Sequence, residues 1–310
     1  MPVPVASLVE YLLRPRSRHH NDVSAAEQLN WKRSPVDLPP GLELQWLGTA
    51  GFRISYQGFH LLIDPYLTRP GASQIYTGRM LRPDRELVRR HVPRADAVLV
   101  GHTHFDHALD VPLVSEMNGA RIYGSSSMRH LMALHGLAAS AVAVEPGRVY
   151  PMGPFEVTFI ESVHSKLLLG LKVPAEGELT CDHLDQLNVG RFRCGQVYGI
   201  HIEVAGLSFY HQGSANLLDD RIRHRGVDYF LMGIAGRGFS RSYTDRILRR
   251  LEPRVVVPHH HDDFHRPLDV EMGFSLNVNL GGFIEEVARV SRDFEVRTLD
   301  PLQTVGSSAG

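Results

Sequence analysis

The chain has 310 residues, 43% of them hydrophobic and 22% charged, which is enough for one large folded domain and excludes global disorder. Lys and Arg number 33 against 34 Asp and Glu, and the formal net charge of -1 excludes a protein-wide field that attracts nucleic acid or anionic membranes. No apolar run approaches the roughly 18 to 20 residues of a membrane span, and the N-terminus lacks a basic start followed by an apolar stretch. We therefore expect a soluble, cytoplasmic protein with no integral membrane segment and no nucleic-acid partner.

Residues 1–40 differ from the rest of the chain. They contain six prolines and the polar run 14–22, and they show little periodicity apart from a short helix predicted at residues 5–13. We expect them to form an N-terminal extension that packs on the following domain, residues 41–310, or closes over its functional site.

Residues 41–310 contain both strand and helix patterns. Short apolar runs rich in β-formers predict strands, and one of these runs leads directly into His102. The predicted strands are residues 42–48, 52–56, 59–64, 97–100, 155–161, 197–204, 207–211, 229–232 and 255–257. The predicted helices are residues 83–91, 126–135, 243–251 and 282–290. A meander of strands followed by alternation indicates sheets with helices packed outside them.

The 18 histidines are unevenly distributed, with three in residues 102–107 and four in residues 259–265. In the first group, Asp106 joins the three imidazoles on a loop behind a buried strand, and such side chains can turn toward a common point as metal ligands. Adjacent Asp106 and His107 can hardly complete the same tetrahedron as His102 and His104, so the spacing favours two metal ions. The alternative is a solvated histidine-rich turn, which would place mutually repelling imidazolium groups together without a compensating interaction.

The His-x-His-x-Asp-His pattern of His102, His104, Asp106 and His107 resembles the hallmark of the metallo-β-lactamase superfamily. Residues 46–52 (WLGTAGF) and 63–65 (IDP) resemble the opening strands and the Asp-Pro turn that precede this hallmark. Residues 258–264 (PHHHDDF) resemble the Pro-x-His stretch of the branch that includes ascorbate-6-phosphate lactonase and the phospholipase D acting on N-acylphosphatidylethanolamine. The resemblance covers residues 42–300 and implies an α/β fold, an αββα sandwich with the metal site at one edge of the two sheets.

The resemblance also implies the ligands and the chemistry. His102, His104 and His164 would bind one metal ion, and Asp106, His107 and His260 the other. Asp106 would in addition orient a metal-activated hydroxide as the nucleophile, and Asp64 is a candidate for fixing a ligand imidazole. Such ligands suit zinc, manganese and iron, and the family leads us to expect two zinc ions.

Ser214 departs from the family pattern, because it stands where the superfamily usually carries a metal-bridging Asp. A neutral hydroxyl is a poor bridge between two dications, so the second metal would bind weakly or another group would compensate. Asp262, two residues after His260, is the first candidate, either as a ligand or as a hydrogen-bonding partner of a ligand imidazole or of nearby amides. His211 is the second.

Two further segments could reach a substrate. His183, in the insertion-like residues 175–193, is a candidate for substrate contact or proton transfer, with a surface histidine as the alternative. The apolar run between Lys166 and Lys172 follows His164 and could line an entrance for an acyl chain, with a buried strand as the alternative.

We predict a metal-dependent hydrolase acting on an ester, lactone, amide or phosphodiester bond of a small-molecule or lipid-like substrate. The alternative is a catalytically reduced metal-binding or ligand-sensing protein, which Ser214 motivates. An iron-dependent redox relative is disfavoured, because those members commonly carry a carboxylate at the position of His164.

Overall fold

The structure is a computed structural model that describes residues 12–35, 37–166 and 171–307. The helix predicted at residues 5–13 lies largely outside the described residues, and so does most of the apolar run that follows Lys166. Within the described residues, the strands are β1 Glu43–Gly48, β2 Gly51–Tyr56, β3 Phe59–Ile63, β4 Ala97–Leu99, β5 Arg121–Gly124, β6 Ala141–Ala143, β7 Val149–Met152, β8 Phe155–Ser162, β9 Val197–Val204, β10 Leu207–Gln212, β11 Tyr229–Gly233, β12 Val255–His259, β13 Glu295–Val296 and β14 Thr304–Gly306.

The α-helices in the described part of the chain follow the loops between these strands or flank the sheets. They are α1 Pro15–Gln28, α2 Ala72–Tyr76, α3 Arg85–His91, α4 Phe105–Ala108, α5 Val111–Asn118, α6 Ser126–Leu134, α7 Tyr243–Leu251 and α8 Leu280–Val290. Helix α3 begins two residues later than predicted, because Asp84 is its N-cap and accepts hydrogen bonds from the N–H groups of Glu86 and Leu87.

The strands form two sheets with the same pattern of pairing. The first has the order β14-β1-β2-β3-β4-β5-β6 and the second β13-β12-β11-β10-β9-β8-β7. In the first sheet, pairing is antiparallel from β14 to β3 and parallel from β3 to β6. In the second, it is antiparallel from β7 to β10 and parallel from β10 to β13. The carboxyl ends of the parallel strands in each sheet therefore lead into loops at one edge.

The sheets pack face to face, and helices cover their outer faces. The inter-sheet core contains Trp46 and Phe52 from the first sheet and Phe159 and Phe209 from the second, each at most 1% exposed. A second apolar cluster lies between the first sheet and α3, α5 and α6, and a third lies between the second sheet and α7 and α8. These four layers are the αββα sandwich that the family resemblance implied.

Helix α1 lies against α8 on the second sheet. Asp22 of α1 accepts hydrogen bonds from the N–H groups of Leu280 and Gly281, and buried Trp31 stacks on Tyr229 with ring centroids 5.5 Å apart. The helix was not predicted, because its sequence is polar and the side chains that it buries include Arg18 and Asp22. Helix α1 and the residues that follow it therefore add contacts to α8 and to β11.

The predicted strands and helices of residues 41–307 all overlap elements of the structure. The pattern missed β5, β6, β7, β13 and β14, which have two to four residues each, too few to show a period. Among the described residues, no helix combines the length and the apolar character needed to span a membrane.

Candidate metal centre

The six candidate ligands come from loops that follow three different strands, and Asp64 comes from a loop after a fourth. Asp64 follows β3, His102 and the short helix α4 follow β4, His164 follows β8, and His260 follows β12. The structure brings the six predicted ligands together in two groups of three, within each of which the donor atoms lie within 4.8 Å of one another. One group is His102, His104 and His164, and the other is Asp106, His107 and His260.

The first group consists of three imidazoles in mutual contact. Nε2 of His102 lies 3.1 Å from Nδ1 of His104, and the ring centroid of His164 lies 4.9 Å from that of His102 and 4.7 Å from that of His104. Donors bound tetrahedrally to one zinc ion at about 2.1 Å stand about 3.4 Å apart. The observed spacing is therefore close to what one metal ion requires.

The second group combines one carboxylate with two imidazoles. Oδ2 of Asp106 lies 3.2 Å from Nε2 of His260 and 3.8 Å from Nε2 of His107. The two groups are contiguous, because the rings of His102 and His107 have centroids only 3.8 Å apart. Two metal ions held there would be neighbours.

For three of the ligand histidines, a hydrogen bond determines which ring nitrogen faces the other ligands of the group. His104 Nε2 donates to the carbonyl of Pro174 at 2.8 Å, His164 Nδ1 to the carbonyl of Ser165 at 2.7 Å, and His107 Nδ1 to Asp64 Oδ2 at 2.8 Å. Because each partner can only accept, each imidazole must donate there, and its other nitrogen keeps a lone pair. These tautomers are the ones that metal coordination needs, and the donor set fits zinc, manganese or iron.

Burial and neighbouring charges set the protonation of the two groups. Burial lowers the pKa of His102 and His104, and it lowers that of His164 to about 3 with help from the neighbouring His104. Burial opposes ionisation of Asp106, but His107 and His260 outweigh it and hold the pKa of this carboxyl well below its usual range. The three imidazoles of the first group are thus favoured as neutral rings and Asp106 as a carboxylate, which are the forms of these four side chains that bind metal ions.

Asp64 lies where it can orient a ligand. Its Oδ1 accepts the N–H of Gly101 at 2.7 Å, while its Oδ2 bonds to His107. The carboxylates of Asp64 and Asp106 raise the pKa of His107 despite its burial. A Cβ at Gly101 or Gly213 would lie only 3.1 or 3.0 Å from Asp64 Oδ2, so both glycines allow this close packing.

Ser214 lines the centre but bonds away from it. Its Oγ accepts the N–H of Ser165 at 2.9 Å, directly after His164. Gln212 and Asn216 hold the same segment, since Gln212 Nε2 donates to Ser162 Oγ and Asn216 Nδ2 donates to the carbonyl of His164. The turn in which the family usually places a bridging Asp therefore supports the segment that contains His164.

Asp262 does not join either group as a ligand and has instead the alternative role, a carboxylate that hydrogen-bonds a nearby amide. It is fully buried, its oxygens accept the N–H of Thr49, and Oδ2 pairs with the guanidinium of Arg69. Thr49 in turn accepts the N–H of His260 through its carbonyl at 2.9 Å. Because His260 has a φ of +60°, which is uncommon for a residue with a side chain, these contacts hold its strained turn.

His211 also lies outside both groups. Its Nε2 donates to the carbonyl of Ala50 at 2.9 Å, and its ring stacks on that of His259 with centroids 4.9 Å apart. His261 packs on Trp46 at 4.8 Å. Of the three adjacent histidines, the structure therefore turns only His260 toward the centre, while its neighbours extend the buried core.

A cavity of about 400 Å³ lies over both groups, with His104, Asp106, His164 and His260 in its lining. His183 is not among the lining residues; it is exposed and precedes a 3-10 helix, Leu184–Gln186. The insertion in which it lies does reach the cavity, but through Ala175 and Val189.

Sequence reasoning missed Arg69 and His265. Arg69 contacts Asp262 across 193 positions of the chain, and no local spacing could reveal that pair. His265 lines the cavity, and its membership of the second histidine cluster was a signal that received no role.

Comparison with known proteins places these observations in a family. The β-lactamase superfamily domain matches residues 43–260. A UPF0173 metal-dependent hydrolase of Polynucleobacter asymbioticus is 29% identical over 232 residues, which are 71% of this chain and 74% of that protein. Another, of Anaeromyxobacter dehalogenans, is 26% identical over 276 residues, 85% of this chain and 86% of that protein.

Solved structures share the fold at lower identity. A metallo hydrolase from Ignicoccus hospitalis aligns with a TM-score of 0.57 at 18% identity, over 85% of this chain and 97% of that one. CmlA, a diiron beta-hydroxylase from Streptomyces venezuelae, aligns with a TM-score of 0.57 at 15% identity, over 86% of this chain and 54% of that one. With the matched domain, the αββα layers and the two ligand groups, the chain belongs to the β-lactamase superfamily and has the framework of its metal-dependent hydrolases.

Proposed function

We propose that the chain is a hydrolase that uses two metal ions, zinc in the first instance, to cleave an ester, lactone, amide or phosphodiester bond of a small-molecule or lipid-like substrate. One observation carries the proposal: two contiguous groups of three ligand-type side chains lie beside a substrate-sized cavity, and each group contributes two residues to its lining. The names of the curated relatives, metal-dependent hydrolases, support the reaction class.

In this proposal, His102, His104 and His164 hold one ion, and Asp106, His107 and His260 hold the other. Metal ions there would supply Lewis acidity toward a carbonyl or phosphoryl oxygen and make a bound water acidic near neutral pH. Asp106 would accept a hydrogen bond from the attacking water and so orient it. Asp64 and the Pro174 carbonyl would keep His107 and His104 in the tautomer that leaves a coordinating nitrogen free.

The first experiment is elemental mass spectrometry of protein purified without a histidine tag, chelator or added metal. We expect about two equivalents of metal per chain, and metal-dependent turnover of at least one member of a panel of esters, lactones, amides and phosphodiesters. His102→Ala and His260→Ala should each remove about one equivalent. His20→Ala, an exposed histidine on α1, serves as the matched control and should retain both.

Protein that binds no metal even after loading with zinc, manganese or iron would contradict the proposal. Loaded protein that turns over no member of the panel would count against hydrolysis while leaving metal binding intact.

A second candidate function is metal binding or ligand sensing without efficient catalysis. The specific observation that favours it is Ser214, a buried hydroxyl bonded to Ser165 at the position of a bridging carboxylate. In that case Ser214→Asp should increase metal binding or activity, whereas an enzyme adapted to serine should lose activity.

A further inference from the structure

We infer that the part of the substrate next to the scissile bond is an uncharged hydrocarbon chain, which lies in the cavity against an aromatic wall. This inference rests on the proposed function and specifies the substrate class that the site takes. We define the aromatic wall as Tyr76, Phe105, Phe264 and His265, all of which line the cavity.

The aromatic wall is continuous and begins beside a ligand. The ring centroid of Phe264 lies 6.1 Å from that of His260, 6.3 Å from that of Phe105 and 4.1 Å from that of His265. Tyr76 follows at 6.0 Å from His265 and is 77% exposed, so it marks the rim. A chain leaving the metal centre along this wall would exchange water for apolar contact over its length.

The charge of the lining separates this cavity from one for anionic substrates. Among the lining residues that the structure describes, none is Lys or Arg. The nearby guanidinium of Arg69 is buried and neutralised by Asp262. A phosphate or carboxylate placed away from the metal ions would lose water without gaining a cationic partner, which is costly.

A basic side chain does occur on the other side of the centre. Lys166 lines a neighbouring groove of about 660 Å³, which has His164 in common with the cavity. An anionic substituent would therefore have to point into that groove, and the aromatic wall would still receive the uncharged part.

The test compares chain lengths within two reaction classes. The probes are p-nitrophenyl butanoate and hexanoate, the anionic p-nitrophenyl succinate, and the butyl and hexyl esters of p-nitrophenyl phosphate. In whichever class the zinc-loaded protein hydrolyses, two added methylenes should raise kcat/KM by about tenfold, mainly through KM. The succinate ester should be the poorest acyl substrate. Equal kcat/KM for the shorter and the longer chain of the class that is hydrolysed, or preference for the succinate ester, would overturn the inference.

Substitutions in the aromatic wall test whether the preference for the longer chain arises there. Phe264→Ala should raise KM for the hexanoate ester several-fold more than it raises KM for the butanoate ester. Phe294→Ala is the matched control and should preserve the preference. It truncates a partly buried phenylalanine that packs against the third apolar cluster, between the second sheet and helices α7 and α8. Tyr76→Ala truncates a side chain that is 77% exposed, so it should cost little folding stability, and it should weaken the preference to a smaller degree.

A binding experiment keeps the inference separate from the proposed reaction. Saturation-transfer NMR with 2-octanone, which cannot be hydrolysed, should show contact with wild-type protein and a weaker signal with Phe264→Ala. Failure of all turnover together with binding of 2-octanone would reject hydrolysis but support the apolar cavity. Absence of binding, or binding unchanged in the variant, would reject the cavity assignment.

Discussion

Oδ2 of Asp64 lies 2.8 Å from Nδ1 of His107, and the same carboxylate accepts the N–H of Gly101 through Oδ1 at 2.7 Å. One buried side chain at the end of β3 thus fixes both the start of the histidine loop and the ring orientation of a ligand. This contact spans 43 positions of the sequence and makes the second ligand group depend on the Asp-Pro turn.

Replacing Asp64 tests this dependence. Asp64→Asn should lower the affinity of the second metal by about 10-fold to 100-fold, because the amide is a weaker acceptor for the imidazole N–H. Isothermal titration of metal into stripped protein measures the change. Asp96→Asn is the matched control. Asp96 is exposed in the loop before β4, and its carboxylate likewise accepts a backbone N–H, that of His60. Unchanged affinity in Asp64→Asn would contradict the assigned role.

The buried pair of Arg69 and Asp262 should be important for stability. Arg69→Met leaves the Asp262 carboxylate buried without its cation and should cost about 3 to 5 kcal/mol of unfolding free energy. Urea denaturation of the metal-free protein measures it. Arg249→Met breaks an exposed pair with Asp245 on α7 and should cost less than about 0.5 kcal/mol. Equal losses in the two variants would show that burial of the pair has no special consequence.

Ser214→Asp distinguishes the two candidate functions. We expect kcat to fall by about tenfold or more, because the larger carboxylate displaces the Ser165 N–H that Ser214 Oγ accepts and with it the segment after His164. Ser214→Ala removes only the acceptor and should lose less. Steady-state kinetics on the best substrate of the panel, with metal content measured in parallel, is the assay. A gain in activity for Ser214→Asp would favour the reduced metal-binding alternative.

The pH dependence of stability should reveal histidines that are buried in the neutral form. Burial, with the neighbouring His224, lowers the pKa of His201 to about 4, and the unfolded chain has an ordinary value near 6.5. Between these values the unfolded state binds more protons, so stability is complete above about pH 6.5 and falls as the pH drops toward 4.

His201→Gln should remove this contribution and flatten the slope by at most about 1.4 kcal/mol per pH unit. Urea denaturation between about pH 7 and about pH 5 provides the slope, with His20→Gln, at an exposed position of α1, as the control. A slope in His201→Gln that matches wild type would mean that other groups account for the acid sensitivity.

Local chemistry made much of the candidate centre predictable. Residues 102–107 place four ligand-type side chains directly after β4, which the apolar run of residues 97–100 (AVLV) predicts as a buried strand. His164 and His260 could be named only with the help of the family resemblance, since each is a single histidine far from this loop. The boundary predicted between residues 40 and 41 stays a prediction.

The tertiary structure alone decided which polar groups face the centre. The sequence contains three adjacent histidines at 259–261 and two nearby carboxylates, and nothing local distinguishes ligands from core residues there. The turn after β12 selects His260, because Thr49 binds its N–H while Arg69 neutralises Asp262. These partners lie about 200 positions away, so their effect arises from the packing of the two sheets and not from any local pattern. The cavity lining has the same origin, since loops from both sheets must meet before an apolar wall can form beside the ligands.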